Sequence, residues 1–415
     1  MIQMELLYWF TVVFLILYPP RLLCWLAPLR KQARIHNDKQ NRLAVIIPAR
    51  NEGKAVLPLF DSIISQNYPK ERFHTFVVVK EKNDPVREYA ANIGATTYVD
   101  ETQTCKGDCL DYALRSILNE YPDQYDAFII VDADCILDKG FLTEMNNAMA
   151  TDAQVINAKK IVKNYYKDPE KNSNMVTACN GIIWTLMDEM GNRFKSEHGY
   201  TTMTVSTGLL IRSNLVKKWN GWIYNKTLTE DMELQRDCGL QNYKTYYDSN
   251  ALIYMEESPS HTETNKRRTR WMSGLIDSDK LYYRKLLQKS GMRELVNNYY
   301  LLCLWIPYIY IGGLAAGVMI NLVGAIIGVI WDAALTASCI QMALIQFGII
   351  YFCFFVMTLF AIVIDHKYIK LSFIKKIELL FVHPLFYMEY IKIVFNAIRG
   401  QEPKEWEEIE RVGVR

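Results

Sequence analysis

The segment Asp132-Ala133-Asp134 places two carboxylates one residue apart directly after an apolar run. Carboxylates this close repel unless a cation lies between them, and oxygen ligands suit Mg²⁺ or Mn²⁺. A metal there can neutralise a diphosphate leaving group; the competing reading is two loop carboxylates capping the next helix. Further on, Leu228-Thr229-Glu230-Asp231-Met232 offers Asp231 as a general base toward a hydroxyl nucleophile. The same residues equally suit a helix start, with Thr229 as cap and Glu230 and Asp231 in the first turn. Arg267-Arg268-Thr269-Arg270-Trp271 combines guanidinium forks for phosphate oxygens with a flat indole face for a sugar ring. As a basic stretch ahead of an apolar end segment it also suits lipid head groups. Lys106-Gly107-Asp108, before a helix pattern, can bring ammonium and amide donors to a phosphate. Ser206-Thr207-Gly208 reads as a turn ahead of Leu209-Leu210-Ile211.

The elements that must position these residues alternate as in an α/β domain between Arg42 and about Lys289. A short buried strand at 43–48 runs into the loop Ala49-Arg50-Asn51-Glu52, and a helix pattern follows with Val56, Leu57, Phe60 and Ile63 on one side. Further strands are expected at 76–79, 95–99 and 127–131, the last leading into Asp132. In an open parallel sheet, ligands sit beyond the carboxyl ends of the strands, so the loops at Glu52, Glu81 and Asp132 should converge on one crevice.

The ends of the chain differ in character. An apolar run at 6–17, the pair Pro19-Pro20 and a second apolar run at 22–29 precede the basic residues Arg30, Lys31, Arg34, Lys39 and Arg42. That order reads as an uncleaved anchor, kinked at the prolines, with the basic side in the cytosol. The uncharged stretch 299–330 would be about 48 Å long as a helix, against roughly 30 Å of hydrocarbon, which predicts tilt or a break near Gly312-Gly313. A second span is expected at 337–364. Only Asp332 lies between the two spans, whereas Lys367, Lys370, Lys375 and Lys376 follow, placing the connection outside and the return inside. The stretch 377–398, which holds His383, Pro384, Glu389 and Lys392, reads as an interfacial or re-entrant helix.

Composition closes off other classes. Of 415 residues, 47 are Lys or Arg and 45 are Asp or Glu, so the net charge of +2 excludes a nucleic-acid-coating protein. With 50% hydrophobic residues the chain is not disordered. Nine cysteines without a Cys-x-x-Cys pair argue against a disulfide framework or a zinc knuckle.

Taken in order, the chain carries a strand followed by Asn-Glu, then Lys-Gly, Asp-x-Asp, Thr-Gly, Glu-Asp, Arg-x-x-Arg-Trp and membrane segments. This series resembles the membrane-embedded glycosyltransferases of family 2, the group with hyaluronan, cellulose, chitin and poly-N-acetylglucosamine synthases, over about residues 45–271. The resemblance implies a GT-A-type α/β nucleotide-sugar-binding domain with a mostly parallel sheet, flanked by N- and C-terminal transmembrane helices. The implied layout is an anchor at 1–29, a basic cytosolic linker at 30–42, the transferase domain at 43–290, a membrane region at 291–398 and a cytosolic tail at 399–415.

By the same resemblance, Ala49, Arg50 and Glu52 match the loop that holds the uridine. Glu81 falls where the family has a uracil-facing Asp, within a segment, 80–84, that departs from the pattern. Lys106 and Gly107 match the Lys-Gly beside the nucleotide, Asp132 the first Asp near ribose and donor, and Asp134 the ligand of Mg²⁺ or Mn²⁺, with Asp132 beside it. Thr207 and Gly208 match a loop near the acceptor, with Glu230 and Arg267 on that side. Asp231 matches the base, Arg270 the diphosphate-binding Arg and Trp271 the acceptor-stacking Trp. Processive members read Gln-x-x-Arg-Trp, and this chain has Arg267 in place of the Gln.

The implied reaction is an inverting transfer from a UDP-sugar, of the UDP-N-acetylglucosamine or UDP-glucose type, to a growing glycan at the plasma membrane. The catalytic domain would be cytoplasmic, the bilayer and a glycan or lipid acceptor would be partners, and nucleic acid would not. A homodimer or partner subunit could complete a glycan channel. Two rival readings are a single-addition glycolipid synthase and an inactive membrane scaffold or transporter.

Overall fold

The structure, a computed structural model, describes residues 2–163 and 174–400. The tail expected from 399 onward therefore lies almost wholly outside the described residues.

The sheet has eight strands: β1 Leu43–Pro48, β2 Phe73–Val79, β3 Thr96–Val99, β4 Ala127–Ile130, β5 Ile136–Leu137, β6 Val155–Val162, β7 Leu209–Arg212 and β8 Thr245–Met255. Their order is β3-β2-β1-β4-β7-β6-β8-β5. β3, β2, β1 and β4 run parallel, as do β6 and β8, while β7 is antiparallel to both neighbours and β5 to β8. Every residue of β1 is buried, as expected of a strand covered on both faces. Its alternate residues serve two cores. Val45 and Ile47 pack with Leu59, Phe60 and Phe141, and Ala44 and Ile46 pack with Leu110, Leu114 and Val216 on the opposite face. Each such side chain contributes roughly 1.5–3 kcal/mol relative to exposure. Because β1, β2 and β4 are parallel neighbours, the loops after Pro48, Val79 and Ile130 share one edge of the sheet.

The strands absent from the sequence reading have a physical signature. β6 carries Lys159 and Lys160, which interrupt its apolar run, yet both are buried. The Lys159 ammonium pairs with Glu189 at 2.9 Å and with Asp365, and Lys160 pairs with Asp188 at 3.3 Å. These acids come from a helical excursion, Met175–Met187 and Glu189–Glu197, and from the end of a long apolar helix. β8 contains Asp248-Ser249-Asn250, a turn-like composition that here forms a bulge opposite Ala158 and Lys159.

At the N-terminus, the helices Ile2–Leu17 and Pro19–Leu26 meet at Tyr18, and the apolar pair is bent by 53° there. The following basic stretch lies extended along the domain. Gln32 accepts from Ser249 N–H at 2.7 Å and donates to the Tyr247 carbonyl at 2.8 Å, and Asn37 donates to the Asn146 carbonyl at 2.8 Å.

Among the described residues two helices are long and apolar enough to cross a membrane, Trp305–Trp331 and Ala333–Ile364. The break expected near Gly312-Gly313 falls instead at Cys303-Leu304, after the helix Met292–Leu302. Pro307 sits in the first turn of the next helix, where the missing N–H costs nothing. Gly313 stays helical because a Cβ there would come within 2.7 Å of the Phe10 ring, so glycine permits close approach of the N-terminal helix. Asp332 accepts from Ala334 N–H at 2.8 Å and caps the second long helix. The last helix, Phe373–Ile398, passes unbroken through Pro384 and packs on Ala333–Ile364 and on the helix His261–Leu287.

Candidate active site

Lys106 opens the helix Lys106–Glu120 behind a Cys105 cap, with Asp108 accepting from the N–H groups of Thr104 at 3.1 Å and Cys105 at 3.3 Å. A Cβ on Gly107 would lie 2.5 Å from the Tyr224 carbonyl oxygen, so only glycine lets this helix start dock there. The docking aims Lys106 across the edge of the sheet. Its ammonium ion-pairs with Asp132, donates to Ser206 Oγ at 2.8 Å and stands 3.9 Å from Glu230. Those carboxylates hold the Lys106 ammonium above its ordinary pKa despite its burial.

Asp132 and Asp134 flank the buried Ala133 just beyond β4, and both are half-buried. The Asp132 N–H donates to Thr207 Oγ1 at 3.0 Å, and Lys163 donates to the Asp134 carbonyl at 3.0 Å. Burial pushes the Asp132 carboxyl up, with Asp134 adding to the push and Lys106 opposing it. Thr207 is 1% exposed and its hydroxyl also meets Cys135 Sγ at 3.5 Å, so it positions the acidic loop from behind. Gly208, at φ +66°, would place a Cβ 2.9 Å from the Ala158 Cβ, which fixes glycine where the chain enters β7 between β4 and β6.

Asp231 lies in the first turn of the helix Glu230–Gln241. One carboxylate oxygen accepts from Ser206 N–H at 3.2 Å and the other from Met232 N–H at 2.8 Å. Burial, with help from Glu230, raises its pKa to about 7, against the opposing pull of Lys106 and those two N–H groups. A carboxyl tuned this close to neutrality, near a cleft, has the protonation behaviour of a general base.

Arg270 and Trp271 come from the helix His261–Leu287. Arg270 is half-buried, and its charge is felt by Glu230, Asp231 and Asp132. Among the described residues no carboxylate lies within ion-pair distance of it. Arg267 pairs with Glu257 and lies 5.1 Å from the Trp271 ring, which meets Trp184 edge-on at 5.6 Å. Glu257 also accepts from Trp184 Nε1 at 2.7 Å. Arg268, between them in sequence, is 2% exposed and bonded to Asn180 and Tyr390.

The structure thus brings together Lys106, Asp132, Glu230, Asp231 and Arg270, with Gly107, Thr207 and Gly208 shaping the backbone around them. The loop 49–52 follows β1 at the same edge of the sheet, with Ala49 N–H donating to the Val78 carbonyl at 2.8 Å and Asn51 and Gly53 both at positive φ. Arg50 and Glu52 are half-buried in this loop. Glu81 stands exposed after β2. Ser206, Trp184 and Glu257 were missed by sequence reasoning. Ser206 adjoins the Thr-Gly pair, whereas Trp184 and Glu257 carried no signal.

Among the described residues no cluster of three His, Cys, Asp or Glu side chains could hold a metal ion. The pair Asp132 and Asp134 nevertheless fits Mg²⁺ or Mn²⁺, because these ions commonly take one or two carboxylates and complete their sphere with phosphate oxygens and water.

Residues 40–274 match the family described as glycosyltransferase like family 2. That is more than half of the chain, which therefore belongs to glycosyltransferase family 2. The probable glycosyltransferase YdaM of Bacillus subtilis is 25% identical over 247 residues, covering 56% of this chain and 55% of YdaM. The chain thus spans about half the length of that curated relative. Among solved structures, the mannosyltransferase PcManGT of Pyrobaculum calidifontis, in complex with GDP-Man and Mn²⁺, aligns with a TM-score of 0.56 at 17% identity over 82% of this chain and 98% of that one. This likeness establishes the fold, a GT-A-like α/β domain with a curled, mostly parallel sheet.

Proposed function

We infer that this protein is a membrane-bound inverting transferase that moves a sugar from a UDP-sugar, of the UDP-N-acetylglucosamine or UDP-glucose type, to a growing glycan. The observation that carries this reading is the joint anchoring of distant carboxylates: Ser206 binds Lys106 through its hydroxyl and Asp231 through its N–H, while Lys106 holds Asp132.

In the reaction, Asp231 takes the proton of the acceptor hydroxyl. The acceptor oxygen bonds to the anomeric carbon from the face opposite the diphosphate, and the C–O bond to UDP breaks with its electron pair leaving on UDP. Lys106 and Arg270 stabilise the departing diphosphate, an electrostatic contribution that a site fixed beforehand makes without reorganisation. A divalent cation held by Asp134 and Asp132 would supply further charge neutralisation. Ala49, Arg50, Glu52 and Glu81 are assigned to the nucleoside side, and Thr207, Gly208, Glu230, Arg267 and Trp271 to the acceptor side.

The basic residues after the N-terminal apolar pair and after Ile364 support a multi-pass plasma-membrane protein with a cytoplasmic catalytic domain. A second reading, single addition to a lipid, is favoured by Arg267, which is bound to Glu257 where processive relatives have Gln. Purified protein reconstituted in lipid and offered each UDP-sugar in turn separates the readings. Long product supports the polymerase, one-sugar product the glycolipid synthase, and no metal-dependent UDP release from any donor overturns both.

A further inference from the structure

A cavity of ≈ 240 Å³ lies between the catalytic domain and the apolar helices, with Tyr18, Leu275, Tyr308, Met357 and Tyr387 among its lining. About 10–15 Å³ suffices for one water, so the space admits a head-group-sized molecule. Two cations, Lys195 and Arg21, face this cavity. Lys195 is 3% exposed, and among the described residues neither cation has a carboxylate within ion-pair distance. The third cation in the wall, Arg268, is bonded to the neutral groups of Asn180 and Tyr390. Burying an ammonium without an anion costs several kcal/mol, so a fold that lines one cavity with both cations leaves room for a negative partner from outside. Burial and the neighbouring Arg21 lower the Lys195 pKa to about 7, a shift that a bound anion would reverse.

The walls indicate what carries the anion. They are largely methionine, leucine and aromatic side chains, contributed in part by Trp305–Trp331 and Phe373–Ile398, which suits hydrocarbon more than a hydrated ion. The lining also includes Trp271 and Met232, the neighbour of Asp231. We propose that the cavity binds an anionic amphiphile whose phosphate lies between an apolar tail and a hydroxyl-bearing head, with the phosphate on Lys195 and Arg21 and the head toward Trp271, and that this lipid is the acceptor. The acceptor role rests on the single-addition reading above, in which a lipid takes the sugar; the binding site does not.

The test uses the full chain in nanodiscs of phosphatidylcholine alone, of phosphatidylcholine with phosphatidylglycerol, and of phosphatidylcholine with added inorganic phosphate. Native mass spectrometry reads retained lipid, thermal unfolding reads stabilisation, and calorimetry reads UDP affinity. Phosphatidylglycerol should be retained, should raise the wild-type midpoint by several degrees and should carry the transferred sugar. In Lys195→Met, retention should fall about tenfold, as for loss of one charge-assisted hydrogen bond, with UDP affinity unchanged; Lys195→Arg should restore it. Arg21→Met serves if Lys195→Met does not fold. Equal retention of both lipids, or retention unaffected in both Met variants, overturns the site. Stabilisation by inorganic phosphate alone overturns the amphiphile. Retention without sugar on the lipid overturns the acceptor role, whereas failure of the transferase reading shows separately as absent UDP binding.

Discussion

The Ser206 N–H donates to the Asp231 carboxylate at 3.2 Å. Through the hydroxyl of the same serine, bonded to Lys106 at 2.8 Å, the proposed base is tied to the cation that holds Asp132. Four segments remote in sequence, at residues 106, 132, 206 and 231, thereby share one polar junction.

The protonation of Asp231 sets a pH profile. With a folded pKa of about 7, the base is ionised only above neutrality, so kcat/KM should rise as pH increases through about 7. Stability should move the other way. The folded state keeps a proton that the unfolded state releases near pH 4, so this stabilisation is complete below pH 4 and lost as pH rises through 7. Asp231→Asn should flatten that slope by roughly 1–3 kcal/mol in denaturant titrations across the window.

Removing the Lys106 ammonium leaves Asp132, Glu230 and Asp231 facing one another with Arg270 near them but no cation in ion-pair contact among the described residues. Lys106→Met should weaken UDP binding about tenfold or more, as expected for a lost charge-assisted contact, in calorimetric titrations. It should also raise the metal concentration at which the remaining activity saturates less than Asp134→Asn does.

Metal dependence should track the acidic pair. Chelation should abolish UDP release, and Asp134→Asn should raise the half-saturating Mn²⁺ at least about tenfold while leaving the thermal midpoint near wild type.

Gly208 tests the fold that carries the site. Gly208→Ala forces a Cβ to 2.9 Å from Ala158 at φ +66°, and should cost about 1–3 kcal/mol of stability, read as a lowered unfolding midpoint.

Legibility differed along the chain for physical reasons. β1, β4 and the 76–79 end of β2 are short, wholly apolar and bounded by polar residues, so their positions and the shared edge after them could be read directly. β6 and β8 could not, because buried lysines and a bulge look polar until Glu189, Asp188 and Asp365 are known to neutralise them. Asp132 stood out locally as half of an Asp-x-Asp pair at a strand end, whereas Asp231 and Lys106 gained weight through their order along the chain. Ser206, which binds two of them, is an ordinary serine in sequence and gains its importance from its place just before β7, beside Gly208. The break at Cys303-Leu304 was misplaced because glycine pairs suggest flexibility, whereas Gly313 is needed for contact with Phe10.

Single-turnover transfer by Asp231→Asn, measured beside UDP affinity, tests the role of Asp231 as the base most directly. General-base assistance is worth about 10²–10⁴-fold, so the predicted result is a loss of that size in the transfer rate with UDP affinity within about twofold of wild type. Transfer at the wild-type rate, or a loss explained wholly by failure to bind UDP, would contradict it.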